Sequence, residues 1–428
     1  MRKYLFSIIY LLSITSLFYS QYKNIRVNSK YNSPNEVSIS INPHNPLNLI
    51  AGANLDNYYY SFDGGSTWNE GTIESSESGV WGDPCVVFDK KGNACYFHLA
   101  KPSVTKWLDR IVCQVSADGG MSWSDPGSYV GKNPPKIQDK DWACSDWKRN
   151  GYVYLAWTQF DRYRSKDPDH HSNIMFSRST DRGFTWNDAR QINSTFGDCL
   201  DSSNTDEGAV PCVGPNGEVY VSWSGPAGIV FNVSHTAGST WLDKEIPVAQ
   251  QYGGWEYDIP GLYRCNGMPV TACDISNDAY RGTIYINFSD RRNGTDDVDI
   301  FLVKSTDGGN TWSDVKRVND DSVGNKKQQF MSWMSVDPIT GAVNILFYDR
   351  RNYKDLQTDV YLARSTDGGE TFENIKISEE PFIPEKKTFF GDYIGISSYN
   401  DFVACIWQRL DRETLSIMFT GVDFKQNK

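Results

Sequence analysis

Three observations predict an all-β chain folded as a seven-bladed β-propeller. An octapeptide turn recurs along the sequence, apolar strands recur between its copies, and aromatic residues (14%) and 35 glycines suit strands joined by tight turns. The turn reads Ser-x-Asp-x-Gly-x-x-Trp, with copies at Ser61–Trp68, Ser116–Trp123, Ser179–Trp186 and Ser305–Trp312. Ser365–Phe372 ends in Phe, and Ser234–Trp241 has Thr236 where the acid should stand. The starts lie 55, 63, 55, 71 and 60 residues apart, a period that fits one four-stranded blade with its loops. The carboxylate can accept backbone N–H bonds within the turn, and the glycine permits positive φ. The Trp is expected to pack back on its own blade.

The second repeat is a turn followed by an apolar strand that ends in an aromatic residue. It runs Gly151–Trp157, Gly217–Trp223, Gly282–Phe288, Gly341–Phe347 and Asp401–Trp407, with Gly92–His98 and the weaker Leu47–Ala53 completing the series. Seven such strands predict seven blades, each ordered as inner strand, second strand, third strand, octapeptide turn and outer strand. Period-two alternation supports strands throughout, and no amphipathic helix is evident. The last blade ends with Leu415–Phe424 and lacks an outer strand. Residues 22–28 at the N-terminus are free to supply it and close the ring, which leaves no long sheet edge exposed.

Met1-Arg2-Lys3 followed by an apolar run from Tyr4 to Phe18 reads as a signal peptide over residues 1–20, with residues 21–428 forming a single propeller domain. The expected product is exported, to the periplasm or the exterior. Removing Arg2 and Lys3 takes the formal charge from −11 to −13, which argues against nucleic acid or an anionic membrane as partner. An acidic polysaccharide remains open, because a cleft can be locally basic. Nine cysteines are odd in number, so an oxidising compartment would leave at least one unpaired.

Chain direction sorts residues by face. The octapeptide turns lie on one rim. Loops after the second strands and the starts of the inner strands lie on the other face, around the channel, where ligand sites are expected. Breaks in the repeat there are the functional candidates. His98 replaces the aromatic residue that ends the second strand elsewhere. It either fills an aromatic slot or faces the ligand, and the latter makes it a catalytic candidate. After Trp157 comes a long loop holding Arg162, Tyr163, Arg164, His170 and His171, which is either a solvated charged loop or part of a site. An adjacent His pair without spaced partners is weak evidence for metal. Asp290-Arg291-Arg292 and Asp349-Arg350-Arg351 recur at equivalent positions, which favours salt bridges between neighbouring blades, although arginines here could also hold an anionic sugar. Acids recur at the inner-strand starts, at Glu36, Asp83, Asp141, Glu207 and Asp392, as a structural ring, a calcium site or a source of a general acid. The segments 198–209 and 253–268, the latter with Tyr263 and Arg264, do not fit the blade template.

The octapeptide resembles the Asp box (BNR repeat) of sialidases. That resemblance implies a glycan-processing propeller with three arginines, a Tyr–Glu nucleophile and an Asp acid. No Arg-Ile-Pro opens the first blade, however, and the nearest residue is Arg26 in Asn24-Ile25-Arg26-Val27. Blade count and special residues more closely resemble the seven-bladed ulvan lyases, which cut a sulfated uronate polysaccharide. Those enzymes use a His and a Tyr on successive blades and an Arg further on. By that resemblance His98 and Tyr163 are the catalytic pair. Arg178 matches by spacing, although its place in the repeat puts it near the box rim, and Arg164 fits the face better. Arg162, Arg164, Arg178, His171, Tyr263 and Arg264 make up the expected substrate-binding set.

β-Elimination from a 4-linked uronate requires a neutralised carboxylate, removal of the C5 proton and protonation of O4. His98 beside an arginine would stabilise the enolate, and Tyr163 would exchange the protons if the Arg-rich loop lowers its pKa. No metal or organic cofactor is required for this chemistry, though structural calcium is compatible with the acid ring. The function expected is therefore a secreted polysaccharide lyase acting on an ulvan-like substrate. A sialidase-like exo-glycosidase and a non-catalytic glycan-binding propeller are the alternatives, and the sequence names no protein partner.

Overall fold

The computed structural model describes residues 22–29, 32–103 and 107–425, so the expected signal peptide at 1–20 lies outside the described residues. Seven four-stranded antiparallel sheets form the blades. Blade three shows the pattern, running Ile137–Ser145, Val153–Phe160, Ser172–Ser179 and Arg190–Gln191 from the inside outward. These strands are rich in β-branched and aromatic residues, and Val153–Phe160 is buried along its whole length between neighbouring blades.

Ring closure follows the predicted scheme. In blade seven Ile25 pairs with Phe419 and Arg26 with Met418, so the N-terminal strand is the outer strand of the last blade. Asn28 is buried, and its Oδ1 accepts the Ile417 N–H at 2.8 Å.

The octapeptide turns are closed by their own side chains. In blade one the Ser61 hydroxyl accepts the Gly65 N–H at 2.9 Å, and Asp63 accepts the Thr67 N–H at 2.9 Å. Blade four keeps this geometry without the acid, because Thr236 Oγ1 accepts the Thr240 N–H at 2.8 Å. The turn tryptophans depart from expectation. Trp68 meets Phe419 of blade seven at 5.2 Å, Trp186 meets Phe97 of blade two at 5.7 Å, and Trp312 meets Phe231 of blade four at 5.1 Å. Each indole therefore reaches the preceding blade and fastens neighbours together. Gly65 allows that approach: it has φ +87°, and a Cβ there would lie 2.2 Å from the Phe419 ring.

The inner strands begin irregularly. Register shifts fall at Gly82/Cys85, Asp139/Trp142, Glu207/Val210 and Phe330/Trp333. Asp83, Lys140 and Met331 take positive φ within these bulges (54°, 48° and 49°), as Glu36 does in blade one (51°). A bulge sets two residues against one on the partner strand and re-aims the side chains at its start. The second arginine of each Asp-Arg-Arg motif pairs with the motif's own acid, Arg292 with Asp290 at 2.6 Å and Arg351 with Asp349 at 2.7 Å, whereas Arg291 donates to the Asp258 carbonyl and Arg350 to Thr358 and Gln328. Arg292 and Arg351 both also reach the blade before their own, Arg351 through Asp320 and Arg292 through the Gln250 carbonyl at 3.1 Å. All nine cysteines are free thiols, seven of them buried.

Candidate functional site

The bulged strand starts and the loops beyond the second strands surround a cavity of about 710 Å³ at one mouth of the channel. Its floor is aromatic. Trp142 and Trp333, from blades three and six on opposite sides of the ring, meet at a tilt of 48° with centroids 4.2 Å apart, and the Tyr393 ring lies 5.4 Å from Trp142. Such contact across a ring means that these side chains fill the channel. The Lys140 ammonium rests on them, 4.0 Å from the Tyr393 ring and 5.0 Å from that of Trp142. Beyond this plug a second cavity of about 800 Å³ opens on the Asp-box side, and no Asp or Glu lines it.

The upper cavity has the opposite character, with seven carboxylates and three cations in its walls. Glu36 is buried beside Asp83; Asn54 donates to the Glu36 carboxylate and accepts the Asp83 N–H at 2.8 Å. Burial, followed by the charges of Asp83 and Asp392, pushes the Glu36 carboxyl well above its usual range. Glu207 is only 4% exposed, one of its oxygens has no hydrogen-bond partner, and burial with Asp201 and Asp139 nearby raises it strongly. Asp392 is engaged by Arg264, whose Nε lies 2.9 Å from Oδ1 while Nη2 meets Oδ2. Carboxylates this close that are not matched by cations favour the protonated form.

Tyr163 and Asp201 form the cavity's second notable pair. The phenol donates to Asp201 Oδ2 at 2.6 Å, and the Arg164 guanidinium lies over the Tyr163 ring at 5.2 Å. Arg164 and Asp201 both hold positive φ (57° and 59°), so strained backbone gathers on this wall as it does at the bulges. The phenol pKa is raised, by burial first and then by the hydrogen bond and charge of Asp201; the opposing effect of Arg164 is smaller. This reverses the expectation that the Arg-rich loop would lower it. Trp81, Trp107, Trp255, Tyr263 and Phe389 supply aromatic wall surface of the kind that sugar faces stack on.

The sequence candidates separate accordingly. Tyr163, Arg164, Tyr263 and Arg264 line the cavity. His98 does not, although its neighbour Leu99 does. Strand alternation turns His98 to the side of Tyr96, towards blade one, where it is fully buried with Nδ1 2.9 Å from the Leu99 carbonyl. Burial lowers its pKa to about 4, which makes it a neutral core histidine at pH 7. The structure therefore does not bring His98 and Tyr163 into one cavity. Arg178 lies at the Asp-box rim, donating to the Ala237 carbonyl at 2.6 Å and to Ser239 Oγ at 2.8 Å, which removes it from the substrate-binding set. Arg162 is exposed outside the cavity lining. His171 packs on Phe196 at 4.9 Å and is also outside it, and His170 is paired with Ser165. Asp141 leaves the acid ring because the blade-three bulge directs Asp139 and Lys140 to the cavity and buries Asp141 without a partner. Among the described residues no cluster of His, Cys, Asp or Glu has the geometry to hold a metal ion.

Sequence reasoning missed Asp201, Lys140, Asp139 and the aromatic walls. Asp201 lies in segment 198–209, already marked as foreign to the blade template, so the template departure was the available signal.

Fold and cavity together define a seven-bladed β-propeller with an acid-rich, aromatic-walled pocket at one mouth of its channel. No known family profile matches the chain, and no curated protein is found to match it. Among solved structures the chain is similar to a PL25 ulvan lyase bound to -[GlcA(1-4)Rha3S]-, at 14% identity over 92% of this chain and 95% of that one, with a TM-score of 0.52. It is also similar to a protein of unknown function from Dyadobacter fermentans, at 12% identity over 94% and 97% of the two chains and a TM-score of 0.50. A Trypanosoma rangeli sialidase matches at 15% identity over 84% of this chain and 57% of that one, with a TM-score of 0.48. At these identities the likeness establishes the fold, and function must be argued from the site.

Proposed function

We propose that the protein is a glycan-processing enzyme, working after export, that hydrolyses a glycosidic bond in the acid-rich cavity. The observation that carries this reading is the Tyr163 phenol donating to Asp201 at 2.6 Å, on the wall of a cavity that also holds Glu36, whose carboxyl burial pushes well above its usual range. A phenol whose proton is already directed at a carboxylate is arranged to become a nucleophile. In the proposed sequence Tyr163 Oη attacks the anomeric carbon while Asp201 takes the phenolic proton. Glu36 gives its proton to the departing glycosidic oxygen. Water, deprotonated by the now ionised Glu36, then cleaves the tyrosyl–sugar bond, and Asp201 returns its proton to the phenol. These steps use no metal or organic cofactor.

Elimination is the second reading, favoured by Arg164 beside Tyr163 and by the likeness in fold to an ulvan lyase. It fits the geometry less well. His98 is buried away from the cavity, and the excess of carboxylates opposes a polyanionic substrate.

The test is to offer purified protein a panel of neutral, amino and acidic glycans and follow both new reducing ends and ultraviolet absorbance. Reducing ends without absorbance support hydrolysis. Absorbance from an unsaturated uronyl end supports elimination instead. Binding without either product would make the protein a glycan-binding module.

A further inference from the structure

The charge of the cavity specifies its ligand more narrowly than the reaction does. Arg264 is held by Asp392, and Arg164 is mostly exposed at the rim, 3.9 Å from Asp201. Lys140 sits on the aromatic floor. Three cations against seven carboxylates leave four acids unmatched. Glu207 is the clearest of these: it is buried, it faces the cavity, and its Oε2 has no donor. A buried acceptor left without a donor is costly, and a ligand that supplies one relieves the cost. Among the described residues the acids are not clustered closely enough to hold a metal ion. The surrounding walls, with Trp81, Trp107, Trp255 and Tyr263, are of the kind that take organic cations through their ring faces.

We propose that the sugar bound in this cavity carries a free amino group, so that the substrate class is an amino-sugar glycan whose ammonium is received by Glu207 and the neighbouring acids. This rests on the reading of the cavity as a glycan site and names its substrate class. The groups facing Glu207 are Asp201, Asp139 and Asp392 on the acidic side and Arg264 on the basic side. An arriving ammonium favours the ionised form of the carboxyls that burial raises, so binding should be accompanied by proton release.

Calorimetry with glucosamine and galactosamine, each beside its N-acetyl form, tests the inference without requiring turnover. The expected result is at least about tenfold tighter binding of the amines than of the acetylated sugars, weakening with salt. Heats that vary with buffer ionisation enthalpy would register the released protons. Glu207→Gln should bring the amine preference close to one, with its thermal unfolding measured alongside to confirm a folded variant. Equal or tighter binding of the N-acetyl sugars by the wild-type protein, or no uptake of either amine at millimolar concentration, would overturn the inference. Glycan cleavage is scored separately. Cleavage without amine preference removes only the substrate class, whereas amine preference without cleavage removes only the hydrolytic reading.

Discussion

Tyr163 and Asp201, 38 residues apart, meet through a 2.6 Å hydrogen bond between the loop after the second strand of blade three and the segment leading into blade four. The bond sets the direction in which the phenolic proton can leave, and hence the chemistry open to Tyr163. Tyr163→Phe and Asp201→Asn should each lower kcat for glycan hydrolysis by about 10²–10⁴-fold while the protein stays folded. The double variant should be scarcely worse than either single one, since the two act as a unit. Additive losses in the released-reducing-end assay would show that they act separately.

His98 provides a pH test of its assignment to the core. Its pKa falls from 6.5 to about 4 on folding, so between those values the unfolded chain takes up a proton that the folded chain refuses. The stability it contributes is fully present above pH 6.5 and is lost as pH falls towards 4, by up to about 3 kcal/mol. His98→Phe lacks that penalty. Urea unfolding at pH 7 and pH 4 should therefore show the wild type losing ground to the variant, and a pH-independent difference would place His98 in contact with solvent.

The inter-blade tryptophans should matter more than their partial exposure suggests. Trp312→Ala removes the contact with Phe231 of the preceding blade and should cost about 2–4 kcal/mol. Denaturant unfolding measures it. A loss below about 0.5 kcal/mol, ordinary for a surface position, would mean that the blades hold together without this fastening.

Blade four tests whether the acid of the octapeptide is needed for folding. Thr236 Oγ1 already accepts the Thr240 N–H, so Thr236→Asp replaces one acceptor by a stronger one. The expected change in unfolding free energy is a gain below about 1 kcal/mol, and a thermal shift assay would detect a loss as readily.

Ring closure depends on Asn28, whose side chain replaces a backbone acceptor for Ile417. Asn28→Ala leaves that buried N–H unpaired and should destabilise the protein by about 1–3 kcal/mol. Hydrogen exchange should report the loss chiefly at residues 414–423.

What the sequence determined by itself was periodic. Recurring Ser, Asp, Gly and Trp positions impose one local turn wherever they occur, alternating apolar residues impose strands, and seven copies impose seven blades. The unpaired end of blade seven even identified its N-terminal partner. Tertiary structure decided what no period encodes. Where the Trp312 ring lands depends on the neighbouring blade, because the turn fixes where the indole starts and packing fixes where it ends. A two-residue bulge put Lys140 rather than Asp141 at the cavity, since one extra residue reverses which side chains face the channel. The same alternation sent Leu99 to the cavity and His98 into the blade. Asp201 was assigned no role because its partnership with Tyr163 spans two blades, and only closure of the ring brings such residues within hydrogen-bonding distance.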